Sequence, residues 1–272
     1  MRWLVIGAAG MLGRDTVAEL ARRGEDVTGL DRAALDVTRP DAVEDAVAAH
    51  RPDLVVNCAA YTAVDAAEHD EPRALRVNGD GPAHLARACA RHGARLVHVS
   101  TDYAFPGTAR TPYPEDAPPA PRTAYGRTKL AGERAVLTAL PDACAVVRTA
   151  WLYGAHGSSF VRTVLGLERR RDTVDVVADQ RGQPIWSADV AARIADVAAR
   201  IADLGPRLGP ALHGVFHATA AGEASCGERQ HVVVAVGGGQ LGHDPLGGLE
   251  QFRDPRPNRW KPALASSSRR TW

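Results

Sequence analysis

Apolar residues in the first part of the chain come in two rhythms that take turns. RWLVIGAAG, DVTGLDR, DLVVNCAA and ARLVHVSTDYAF contain short β-type runs, whereas MLGRDTVAELARRG, PDAVEDAVAAH and DGPAHLARACARHG return apolar residues at helical spacing. Strand and helix therefore alternate as βαβαβαβ. That order predicts an α/β fold, a Rossmann-type doubly wound parallel sheet.

After residue 150 the rhythm loosens. HGSSFVRTVLGLERRRD reads as a helix with a basic end, and VDVVADQRGQP as a strand running into a polar loop. SADVAARIADVAARIADL follows as a helix with Val190, Ile194, Val197, Ile201 and Leu204 on one stripe. The expected organisation is a dinucleotide-binding domain over 1–150, a smaller substrate-binding part over 151–225 interleaved with it, and an atypical tail over 226–272.

Composition narrows the choice of ligand. A formal charge of +1 over 272 residues leaves no electrostatic footprint for nucleic acid or an anionic membrane, so an anionic ligand has to be held locally. No apolar stretch approaches the roughly 18 residues of a membrane span. The N-terminal apolar run is broken by glycines and lacks signal-peptide form. Cys58, Cys89, Cys144 and Cys226 show no metal-ligand spacing and suit a reducing cytoplasm.

The first strand-to-helix turn carries Gly7, Gly10 and Gly13. Glycines there let the backbone bend tightly and approach a pyrophosphate, while the helix N-terminus supplies N–H donors. Asp31 ends the second strand, where a carboxylate accepts from ribose hydroxyls and favours NADH; the adjoining Arg32 can instead pair with the extra phosphate of NADPH. Asp36 and Val37 are candidate walls for the adenine, a helix-capping loop being the alternative. NCAAYT closes the third strand with small residues that allow close contact with a cofactor.

The fourth strand ends in Ser100, Thr101, Asp102 and Tyr103, at the sheet edge where open α/β folds bind ligands. Some two dozen residues later Tyr125 and Lys129 stand four apart on a helix, so their side chains share a face. Together they make a candidate set for carbonyl reduction: Tyr125 donates a proton, Thr101 orients the carbonyl, and Lys129 lowers the tyrosine pKa and bonds the nicotinamide ribose.

GxxGxxG, NCAAYTAVDAAE, STDYAFPG, YGRTKLAGE and VRTAWLYG occur in this order between residue 1 and about residue 225. Together they resemble the extended short-chain dehydrogenase/reductase superfamily, and within it the dTDP-4-dehydrorhamnose reductase family, including members like dTDP-dihydrostreptose synthase. The resemblance implies reduction of the 4-keto group of a dTDP-6-deoxyhexose by NADPH or NADH. It implies Thr101, Tyr125 and Lys129 as the catalytic set. Gly7, Gly10, Met11, Leu12, Gly13, Asp31, Arg32, Asp36, Val37, Ala59, Ala60 and Tyr61 are then expected at the cofactor, with Tyr125 and Lys129. Val64, Asp65, Asp102, Tyr103 and Trp151 are expected at the sugar, and His217 at the nucleotide. Asp65 as a helix cap and Trp151 as a core aromatic are the plainer alternatives. No metal ligand set is expected; magnesium occurs at some family interfaces, and Asp15 falls where such a carboxylate lies. The assembly implied is a monomer or homodimer.

The chain departs from the family in three places. Ser159 and Ile185 stand where asparagine and threonine are usual. After Ser225 a glycine- and proline-rich tail without sustained period replaces the family's closing helix, which suggests a shifted reading frame near residue 226, a divergent native tail being the alternative. An epimerase, a 4,6-dehydratase or a non-catalytic NADP-binding regulatory subunit would share much of this pattern. Asp102-Tyr103 after Thr101, in place of Asp-Glu, speaks against the dehydratase.

Overall fold

The computed structural model describes residues 1–168, 180–203 and 213–225. Its frame alternates as the sequence predicts: β1 (Arg2–Ile6), α1 (Met11–Arg22), β2 (Asp26–Leu30), α2 (Pro40–His50) and β3 (Leu54–Asn57). Two short helices follow, α3 (Val64–His69) and α4 (Glu71–Leu75). A π-helical turn at Arg76–Asp80 then leads into α5 (Gly81–His92) and β4 (Arg95–Thr101). The frame closes with α6 (Ala124–Ala139) and β5 (Cys144–Thr149). Beyond it lie β6 (Leu152–Tyr153), α7 (Phe160–Glu168), β7 (Arg181–Gly182), β8 (Ile185–Trp186), α8 (Ser187–Asp203), β9 (Gly214–His217) and β10 (Ala224–Ser225).

Six parallel strands form one sheet in the order β2-β1-β3-β4-β5-β9. The order reverses beside β1, the switch point at which such sheets open a ligand crevice at their carboxyl ends. Helices cover both faces, so β3 and β5 are buried along their whole length and need apolar residues on both sides. On one face Leu4, Ile6, Val55, Leu85 and Leu96 build a continuous core with Val43 and Val47 of α2.

The chain divides into two compact units. Among the described residues, the first holds 1–156, 185–203 and 213–219 and the second holds 157–168, 180–184 and 220–225. Residues 185–203 and 213–219 thus pack with the Rossmann sheet, although the sequence reading groups them with the substrate part. Val190 and Ile194 are buried, and Arg23 of α1 reaches α8 through Asp196 at 2.7 Å and the Ala192 carbonyl at 3.2 Å. Leu204 lies outside the described residues, as do most of the strand expected over 174–184 and the tail from 226. In the second unit β7 pairs with β10, and Arg181 meets Glu223 at 2.6 Å. No helix among the described residues is long and apolar enough to cross a membrane.

Candidate active site

The turn after β1 is built by close approach. Gly7 adopts φ +79°, open to glycine at little cost, and a Cβ there would come within 2.8 Å of the Ala59 backbone nitrogen. At Gly13 a Cβ would lie 2.2 Å from the Gly7 carbonyl oxygen. The third glycine therefore serves the packing of α1 against the turn. Gly10 is the N-cap of α1 and has no side chain to occupy the helix end.

In front of this turn lies a cavity of about 420 Å³. Of the residues expected at the cofactor, Gly7, Gly10, Arg32, Asp36, Val37, Ala59, Ala60 and Tyr61 line it; Met11, Leu12, Gly13, Asp31, Tyr125 and Lys129 do not. The Asp31 carboxylate accepts from the backbone N–H groups of Ala33 (2.9 Å) and Ala34 (3.0 Å), and so shapes its own loop. Asp36 accepts from Thr38 N–H and hydroxyl, which holds its carboxyl below the usual range. Arg73 and Arg76 also line the cavity and were not expected from the sequence. Arg73 lies over the Tyr61 ring at 5.7 Å.

The π-helical turn fixes the loop after β3. A π turn pushes one residue out of the regular ladder, and here Asn78 is turned inward and wholly buried. Its amide accepts from Tyr61 N at 2.8 Å and donates to the Tyr61 carbonyl at 3.1 Å, as a backbone strand would. The same Nδ2 reaches Thr128 Oγ1 at 3.2 Å. One asparagine thereby ties the cofactor loop to α6.

Helix α6 starts where its first turn is satisfied. The Thr123 hydroxyl accepts from Gly126 N at 3.0 Å, and Glu68 accepts from Ala124 N at 2.7 Å. This start sets the azimuth of Tyr125 and Lys129. The Tyr125 ring packs edge-on against Tyr103 at 5.5 Å, and its hydroxyl shares a hydrogen bond with the Thr101 side chain. Thr101 in turn donates to Asp102 at 3.1 Å and accepts from Tyr103 N at 3.2 Å. Burial raises the Asp102 carboxyl to about 6.

One expectation needs correction. Shelter from water pushes the Tyr125 phenol up, with only the Thr101 hydrogen bond opposing it, and Lys129 is not among the groups that lower it. The Lys129 ammonium is turned instead to the Val99 carbonyl at 2.7 Å and His98 Nε2 at 3.4 Å. Burial lowers its own pKa to about 8. Burial therefore favours the protonated phenol in this arrangement.

The remaining expected residues are more scattered. Val64 and Asp65 start α3, whose N-cap is Ala63 without a side-chain cap bond, so Asp65 is not the helix cap. Trp151 is half-buried with φ +43°, which suits neither an ordinary core aromatic nor a relaxed backbone. His217 on β9 packs edge-on against Phe105 at 5.7 Å. Ile185 is buried in β8, and Ser159 accepts from Arg162 N at 3.3 Å at the start of α7. Asp15 accepts from the Ser187 hydroxyl.

Fold and site define a dinucleotide-binding α/β protein with the Thr, Tyr and Lys arrangement of short-chain dehydrogenases/reductases. Residues 1–237 match the family model described as RmlD substrate binding domain, and the chain belongs to that family. It is 59% identical over 228 residues to a probable dTDP-4,6-dihydroxy-2-methyloxan-3-one 4-ketoreductase of Streptomyces antibioticus, covering 83% of this chain and 73% of that protein. It is 56% identical to a dTDP-4-dehydrorhamnose reductase of Streptomyces griseus, covering 81% and 71%. Among solved structures, the dTDP-4-dehydrorhamnose reductase of Bacillus anthracis in complex with NADP superposes with a TM-score of 0.80 at 34% identity, over 89% of this chain and 82% of that one.

Proposed function

We propose that this protein reduces the 4-keto group of a dTDP-linked 6-deoxyhexose at the expense of NADPH or NADH. The observation that carries the reading is the hydroxyl pair Thr101 and Tyr125 at the carboxyl edge of β4, with Lys129 one turn further along the same helix. Tyr125 and, once released from Asp102, Thr101 would each present a hydroxyl to a carbonyl oxygen. Burial keeps the Tyr125 proton in place until negative charge develops on that oxygen, when transfer becomes favourable.

The cleft suits a reduced nicotinamide dinucleotide. A Cβ at Gly7 would collide with Ala59, so the turn admits no side chain between the cleft and its backbone. Arg32, Arg73 and Arg76 bring cations to its wall for anionic phosphates. When bound there the cofactor supplies hydride. Lys129 would hold the nicotinamide ribose, while Tyr125 would give its proton to the carbonyl oxygen. With Asp31 engaged by its own loop and Arg32 in the wall, NADPH is the favoured form.

We assign the sugar to the side of Asp102, Tyr103, Val64, Asp65 and Trp151, and we place the reaction in the cytoplasm, whose reducing state suits the free thiols Cys58, Cys89 and Cys144. The tail after Ser225 is in our reading either the product of a shifted frame or a divergent native tail, and resequencing across that point distinguishes them. The function itself is tested by NADPH oxidation with dTDP-4-keto-rhamnose. Tyr125→Phe is expected to lower turnover by about 10²- to 10⁴-fold with cofactor affinity nearly intact. Full turnover in that variant would remove Tyr125 as the donor.

A further inference from the structure

Buried polar groups converge on Lys129 from the sheet side. His98 of β4 is wholly buried, with Nε2 3.4 Å from Lys129 Nζ and Nδ1 3.1 Å from Asn57 Nδ2. Donor and acceptor roles along this line can be deduced from its far end. The backbone N–H of Ala59 can only donate, and it faces Asn57 Oδ1 at 3.1 Å. That atom is therefore the oxygen. The Asn57 amide nitrogen must then donate to His98 Nδ1, which accepts, and the ring proton sits on Nε2. A second ring proton is excluded, because burial, the largest influence, holds the His98 pKa well below its ordinary value whichever state Lys129 is in. An N–H is thus aimed at Lys129.

An ammonium has no lone pair to receive that proton, whereas a neutral amine has one. In either state Lys129 can donate to the Val99 carbonyl, so of its two hydrogen-bond partners only His98 distinguishes the two. We propose that Asn57 and His98 are positioning residues: anchored on Ala59 at the cofactor cleft, they lock the Nε2–H tautomer and so set the charge state of Lys129. The link to catalysis rests on the reductase reading of Lys129; the hydrogen-bond polarity does not.

The other groups facing Lys129 pull the opposite way or are neutral. Cys58, from the loop after β3, has its thiol pushed up to about 12 and stays protonated. Glu133, one turn along α6, favours the ammonium, but its carboxylate is already shared by Arg148 of β5 and Ser100 of β4. Burial is the largest influence on Lys129 and acts in the same direction as the His98 proton.

The whole protein, ¹⁵N-labelled at histidine, tests the tautomer without any ligand through long-range ¹H–¹⁵N correlations. His98 is assigned by the signal lost in His98→Gln. The expected result is an unprotonated Nδ1 and a proton on Nε2; a proton on Nδ1 overturns the proposal. Asn57→Asp tests the consequence. A carboxylate accepts from both Ala59 N and His98 Nδ1–H, which turns Nε2 into an acceptor facing Lys129. The Lys129 midpoint, followed by its side-chain ¹³C shift, should then rise by at least about one pH unit, a tenfold smaller amine fraction at a given pH. An unmoved midpoint in the folded variant refutes the coupling. A failure of the reductase reading would appear only in turnover, and would leave both measurements unchanged.

Discussion

Two buried polar clusters lie between β4 and α6, and they are built on opposite terms. Around Glu133, Arg148 gives a two-pronged ion pair at 3.0 and 2.7 Å and the Ser100 hydroxyl closes the remaining side. Around Lys129, one turn earlier on the same helix, no carboxylate of the described residues is in hydrogen-bonding contact; a carbonyl and an imidazole face it. A charge with its counter-charge at hand is a fixed part of the scaffold. A charge left with neutral partners is poised to titrate, and that is the one our proposal gives to the reaction.

The sharpest way to break the comparison is to remove its paired half. Glu133→Ala strands the Arg148 guanidinium in a dry interior and should cost about 3–5 kcal/mol of stability, seen as a lower denaturant midpoint. Lys129→Met should do the reverse: turnover falls by about 10²-fold or more, while the fold is at least as stable as before. A Lys129→Met variant as unstable as Glu133→Ala would erase the distinction.

Lys129 and Asp102 differ in their pH dependence. With its folded pKa lowered from 10.5 to about 8, Lys129 binds its proton more weakly folded than unfolded, so stability should rise as pH increases across that window. Asp102 is the counterexample. Its carboxyl is raised from 3.8 to about 6, so its contribution is full below the lower value and is lost as pH rises through the upper one. Denaturation series on Lys129→Met and Asp102→Asn should flatten the alkaline and the acid slope respectively. A smaller effect is expected at Asn78→Ala, which unpairs Tyr61 N–H and carbonyl and should cost about 1–3 kcal/mol together with a raised cofactor KM. Retained stability and KM would mean that the Tyr61 loop holds itself.

Much of this was legible in the chain because it depends on period. Strands and helices of the Rossmann frame follow from apolar rhythm, and Tyr125 and Lys129 follow from four-residue spacing. Gly7, Gly10 and Gly13 were visible as glycines, but only the turn's geometry separates Gly7, at the cleft wall, from Gly13, whose hydrogen packs against the Gly7 carbonyl. Asn57, Asn78 and His98 were not legible. Each is a polar residue inside an element whose pattern it interrupts by one position, and its partner lies 17 to 50 residues away in sequence. Arg73 and Arg76 were hidden likewise, since exposed arginines on a short helix and the turn after it carry no signal of the cavity they border. The direction of the Lys129 ammonium was hidden for another reason: sequence spacing gives proximity of Tyr125 and Lys129, not where the ammonium points.

The central claim is that a hydride and the Tyr125 proton arrive on the same sugar carbonyl. Purified protein given dTDP-4-keto-rhamnose and NADPH deuterated at the transferable position should yield a product with deuterium on sugar carbon 4, read by NMR. Product without deuterium at that carbon, or cofactor that keeps its label while the sugar turns over, would contradict the account.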